Sequence, residues 1–186
     1  MTEAWLALLQ FADGLFPSGG FAHSFGLETY AQDGVVRDRT GLEAMKAVPE
    51  ARAASRQMGR QTLRVAAALG DDAFLAELAR TVDDGLTPGH HAAVVGAALG
   101  RAGAGPEAVA AAYLHSTAAL LVGAGLLLIA LGQLDGQRVL AALRPRIARL
   151  ASAAATATAA DMWSFNPGLE LAGIRHATLD ARLFRS

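Results

Sequence analysis

The stretch 108-AVAAAYLHSTAALLVGAGLLLIALGQL-134 carries no charged side chain. It is long enough to cross a bilayer, which takes about 20 apolar residues. Its composition argues for another role. Alanine and glycine contribute little transfer energy, and Tyr113, His115, Ser116 and Thr117 interrupt the run. No basic cluster flanks it on one side, and its strongly apolar part, Leu120 to Leu131, covers only about two-thirds of a span. The stretch therefore reads as the buried central helix of a soluble all-α bundle, and no membrane partner is expected.

Punctuation on both sides agrees with that architecture. Pro106-Glu107 suits a helix start, and Gly132 suits its end. Downstream, Asp135-Gly136 signals a turn, and Gln137 to Ala160 reads as a helix kinked at Pro145. Phe165-Asn166-Pro167-Gly168 breaks the chain before a short helix from Leu169 to about His176. Upstream, a helix from His90 or His91 ends near Leu99, and Gly100 to Gly105 connects it onward. Before it, Asp71 and Asp72 favour a helix N-terminus over a stripe of Phe74, Leu75, Leu78 and Val82. Pro49 is placed to open a helix that runs to about Leu69, with Ala51, Ala54, Met58, Val65 and Leu69 inward. Thr40 and Glu43 fit a capping box, Phe21 to Ala31 fits a helix, and Trp5, Leu8, Leu9 and Ala12 mark a first helix.

Composition bounds the function. The 186 residues make a single domain with a net charge of −1, which gives no general case for nucleic acid. Cysteine is absent, excluding disulfides and a thiol nucleophile. Lys46 is the sole lysine, so the cations are arginines, suited to planar pairing with carboxylates. The N-terminal MTEAWLALLQF lacks a basic leader and does not read as a signal peptide.

Catalytic patterns are weak. No P-loop is present, and Pro17-Ser18-Gly19-Gly20 reads as a glycine turn rather than an anion cradle. His23, Ser24 and Glu28 lie close, but adjacent helical residues diverge by about 100°, which spoils a triad. His90-His91 fails as a chelating pair for the same reason. The alternative reading is a helical enzyme or cofactor binder built on His23, Glu28 and His91. Two patterns point instead to surfaces. Arg52, Arg56, Arg60 and Arg64 form a basic stripe at spacings of four, which reads equally as a solvated face or as a surface for an acidic partner, interrupted at its edge by Gln57-Met58-Gly59. A glycine inside a helix costs about 1 kcal/mol, so something must approach it closely. The segment 175–186 alternates arginine with Leu183 and Phe184, which is interface chemistry.

Three blocks together resemble the UreF family of urease accessory proteins. They are Leu8-Leu9-Gln10 with Phe16 to Phe21, Ser24 and Gly26-Leu27-Glu28; then Ala54 to Arg60; then Leu131-Gly132-Gln133 with Asp135-Gly136-Gln137 and the terminal Arg182-Leu183-Phe184-Arg185-Ser186. The resemblance implies an all-α cytoplasmic protein (1–174) with a partner-docking tail (175–186) and no catalysis or cofactor of its own. It implies a homodimer that bridges UreD (also UreH) and the GTPase UreG on the urease apoprotein, with nickel passing only as cargo. The matched positions Pro17, Ser18, Gly19, Gly20, Ser24, Glu28, Arg56, Met58, Gly59, Arg175, His176, Arg182, Leu183, Phe184, Arg185 and Ser186 are the partner-binding candidates it implies. Two departures stand out. The family has two further helices between Gly41-Leu42-Glu43-Ala44 and Ala54-Ser55-Arg56, where this chain has a short join through Pro49. Leu127 and Ala130 occupy positions where the family tends to place an arginine and a proline.

Overall fold

The computed structural model describes residues 3–13, 16, 18, 48–128, 132–162 and 167–176. Those residues are all-α, with no strand among them. The helices are α1 (Glu3–Ala12), α2 (Pro49–Leu69), α3 (Ala73–Asp83), α4 (His91–Arg101), α5 (Pro106–Leu128), α6 (Gln133–Thr156) and α7 (Pro167–His176), with a 3₁₀ turn at Ala159–Asp161. The capping box at Thr40 and the helix proposed over Phe21 to Ala31 lie outside the described residues.

Two clusters make the core. Leu63 and Ala66 of α2, Leu75 and Val82 of α3, and Val94 and Ala98 of α4 form the first. Leu8 of α1 with Val95 and Leu99 of α4 forms the second, and Val109, Ala112 and Tyr113 of α5 close over it. Phe11 touches both clusters and stacks on Phe16, ring centroids 4.4 Å apart. The buried side of α2 is Ala51, Ala54, Ser55, Met58, Gly59, Thr62, Leu63 and Ala66, a stripe at spacings of three and four. Leu69, expected inside, sits on the last turn and is exposed. In α1 the inward residue is Leu8, while Trp5 and Leu9 face out, so the expected stripe is rotated. Small Ala4 and Ala7 flank Leu8 and permit the closer approach.

Helix α3 begins as its acids foretell. Asp72 is the N-cap and accepts the Leu75 N–H at 3.0 Å. Its other oxygen takes Arg101 Nε at 2.7 Å, and that guanidinium lies 5.8 Å over the Phe74 ring. Phe74 is thus drawn outward to the cation and leaves Leu75 and Val82 as the buried pair. The Arg101 hydrogen bond first, and the Leu75 N–H second, hold the Asp72 carboxyl below its ordinary 3.8. A depressed carboxylate stabilises the fold above about pH 4 and loses that contribution as pH falls through its folded value. The melting-temperature advantage of the native chain over Asp72→Asn should therefore shrink between about pH 6 and pH 3. An advantage that stays constant over that range would refute the assignment.

The uncharged stretch departs from expectation in burial. α5 packs against α1, α4 and α6, so it is central. Yet none of its residues is buried, and Leu121, Leu127 and Leu128 are exposed. Most of its residues are half-buried instead. Among the described residues it is the one helix long and apolar enough to cross a membrane. Its main partner, α6, starts at Gln133 rather than Gln137, so the expected Asp135-Gly136 turn lies inside the helix. Gly136 is there for contact: a Cβ on it would sit 3.0 Å from Val122 and 3.4 Å from Leu126. The helix ends at Thr156, and Pro145 is accommodated inside it. Pro145 and Ala141, whose carbonyl it leaves unbonded, are both exposed, so water can satisfy that oxygen.

Candidate functional site

The interrupted arginine stripe resolves into two faces of α2. Arg56, Arg60 and Arg64 are exposed and Arg52 is half-buried. Arg60 lies 3.9 Å from Asp83, a loose and solvated pair. A cavity of about 290 Å³ opens beside Arg60 and Arg64 toward α3. Met58 and Gly59 turn the other way. Met58 has no exposed surface, and Gly59 is met by the backbone of Gly89 and His91. Of the partner candidates on α2, Arg56 is therefore at the surface, while Met58 and Gly59 lie buried against the core and the turn before α4.

The close approach at Gly59 is made by the turn before α4. Gly89 has φ +61°, a conformation other residues rarely adopt, and its own missing Cβ would meet Val82 at 2.8 Å. The turn carries His90 and His91 into the core at 3% and 8% exposure. Ser55 holds both. Its Oγ accepts the His91 backbone N–H at 3.3 Å and lies 3.2 Å from His90 Nδ1. With the oxygen accepting from His91, its single hydroxyl proton is available to His90. The His91 ring meets Tyr113 at 5.6 Å, and burial pushes the Tyr113 hydroxyl up. His91 is thus packed between α2 and α5. His23 and Glu28, its partners in the enzymatic alternative, lie outside the described residues. Among the described residues no group of three or more His, Asp or Glu is placed to hold a metal ion. Removing the Ser55 hydroxyl takes two buried hydrogen bonds from this turn. Ser55→Ala should cost about 1–3 kcal/mol in chemical denaturation, and a midpoint that does not move would contradict the assignment.

The third feature is the root of the C-terminal segment. Arg175 and His176 form the last turn of α7, so the boundary expected after residue 174 falls inside a helix. His176 Nδ1 lies 2.9 Å from Glu50 Oε2, linking the end of α7 to the first turn of α2 across 126 residues. Beside it, Val48 fills the space of the missing Gly173 side chain, 3.2 Å from where a Cβ would be. The fold therefore brings the start of the expected tail to the end of α2 where the arginine stripe begins. Glu50 gave no signal in the sequence beyond its place near the start of α2, and Ser55 entered only as part of the Ala54 to Arg60 block, with nothing to mark it as the residue that seats the α4 turn.

The remaining candidates are less defined. Ser18 N–H donates to Phe16 O at 2.7 Å. Pro17, Gly19, Gly20, Ser24, Glu28 and the terminal Arg182, Leu183, Phe184, Arg185 and Ser186 lie outside the described residues.

Comparison with known proteins is consistent across the chain. The UreF family model matches residues 26–144. The urease accessory protein UreF of Rhizobium leguminosarum bv. trifolii is 33% identical over 222 aligned positions, covering 99% of this chain and 97% of that protein. UreF of Rhizobium etli is 34% identical over 221 positions with the same coverage, and UreF of Bacillus sp. TB-90 is 27% identical over 223. With 186 residues here, an alignment of 222 positions leaves at least 36 of them opposite no residue of this chain. The two ends match while the interior is shorter, and on these similarities the chain belongs to the UreF family of urease accessory proteins.

Proposed function

We propose that the chain works in urease maturation as a non-catalytic, cytoplasmic docking protein. In this reading it bridges UreD (UreH) and the GTPase UreG on the urease apoprotein and couples GTP hydrolysis to nickel delivery. It acts as a homodimer, needs no cofactor, and meets nickel only as transient cargo. The observation that supports this reading is the bond of His176 with Glu50, which ties the end of α7, where the arginine- and phenylalanine-bearing segment begins, to the first turn of the helix that carries the arginine stripe. Exposed arginines beside apolar anchors are what protein interfaces select. The partner-binding set in this reading is Arg56 on α2, Arg175 and His176 at the end of α7, Arg182 to Ser186 beyond it, and Pro17 to Gly20 with Ser24 and Glu28. Met58 and Gly59 support that set from the core.

Deleting Arg182 to Ser186 should abolish co-purification with UreD and leave the helical circular-dichroism spectrum and melting temperature intact. Undiminished capture of UreD by the shortened chain would overturn the tail assignment.

A further inference from the structure

We infer that the outward face of α6 is a second docking surface, and that its occupant is an acidic face of a partner protein. α6 carries Arg138, Arg144, Arg146 and Arg149 against a single acid, Asp135, in a chain whose net charge is −1. Asp135 is already taken: Arg138 Nη1 holds it at 3.0 Å. The neighbouring α5 offers only Glu107, in its first turn. Neither Arg146 nor Arg149 forms an ion pair among the described residues.

The geometry separates two sides of the helix. Gly136, Leu140, Leu143, Ile147 and Ala151 recur at spacings of three and four on the side toward α5, and Gly136 and Ala151 are buried. At 100° per residue the flank beside that stripe carries Val139, Ala142, Arg146, Arg149, Leu150 and Ala153 within a sector of about 100°, all exposed. Val139 and Leu150 are 43% and 51% exposed. The row is about 21 Å long at 1.5 Å per residue.

Elsewhere on the surface some cations find local compensation. Arg80 with Glu77 and Arg138 with Asp135 do so three residues apart. Arg146 and Arg149 have no such acid and are interleaved with aliphatic side chains. Guanidinium groups of that kind bind carboxylates in planar, two-point fashion, and the aliphatic residues supply the area to be dried. A second copy of this chain fits poorly, because a two-fold contact would set these arginines near their own images. Nucleic acid draws affinity from many phosphate contacts, more than two cations supply. A lipid surface favours aromatic anchors, and this row has none.

The choice of probes rests on the proposed function; the surface itself does not. The test compares the full chain with Arg146→Glu/Arg149→Glu, and with Arg146→Gln/Arg149→Gln should the reversal disturb folding. Affinity is measured for purified UreD, UreG and urease apoprotein at about 50 and 300 mM salt. For at least one of the three, the double variants should bind about tenfold or more weaker, and the native complex should weaken at the higher salt. Equal affinities of native and variant chains for all three proteins overturn the inference while leaving the tail standing. Loss on tail deletion together with retention in the double variants has the same meaning. Native binding to none of the three overturns both readings. Binding to acidic phospholipid vesicles or duplex DNA that the double variants abolish assigns the face elsewhere and also overturns it.

Discussion

Replacing Gly59 with alanine should lower the melting temperature by roughly 10 °C or prevent folding. The added methyl would overlap the Gly89 carbonyl oxygen and stand 2.9 Å from the His91 backbone nitrogen. Both obstacles are main chain, so no rotamer change relieves them. Gly89 cannot retreat, because its left-handed conformation and its contact with Val82 fix the turn from the other side. Overpacking of this kind costs about 3 kcal/mol at the upper end of its ordinary range, and a domain of this size loses about 2–4 °C per kcal/mol. The same alanine at Gly96, where nothing lies within 4 Å, should be neutral or stabilising. A Gly59→Ala chain that melts within about 2 °C of the native protein would mean that α2 and the α4 turn do not meet as described.

Leu99→Ala should cost about 2–5 kcal/mol in chemical denaturation. Leu99 is fully buried and forms the centre of the second cluster, where α1, α4 and α5 converge. The first cluster holds α2, α3 and α4 without it. The loss should therefore fall mainly on α5 and the helix paired to it. Amide exchange should accelerate more in α5 and α6 than in α2 and α3. Uniform acceleration across all helices would show that the two clusters behave as one cooperative unit.

Much of the helical order was legible in the residues because its punctuation is local. Pro49, Asp72 and Pro106 open helices through their own local chemistry, and no partner has to be known; Pro167, expected in a break, opens α7 two residues ahead of the expected Leu169. What misled was inward facing, which depends on neighbours. Trp5 and Leu9 looked like core by spacing but face outward, since the smaller Ala4 and Ala7 side meets α4 and α5. Asp135-Gly136 looked like a turn because glycine in a helix is costly; only Val122 and Leu126 across the hairpin explain why it is there. The same holds for the candidate site. The need for a close approach at Gly59 was readable, and its source, the turn at Gly89, was not. His90-His91 attracted attention as a metal pair, whereas Ser55 and Tyr113 use them to seat a turn.

The bond between His176 and Glu50 spans 126 residues, and closing a loop of that length costs about 4 kcal/mol in chain entropy. A partly exposed bond of this type returns about 1 kcal/mol, so it cannot hold itself shut. It persists only while the intervening helices are already assembled. The bond therefore reports on the bundle: any lesion that loosens the helices between its two partners also frees the last turn of α7 from the first turn of α2.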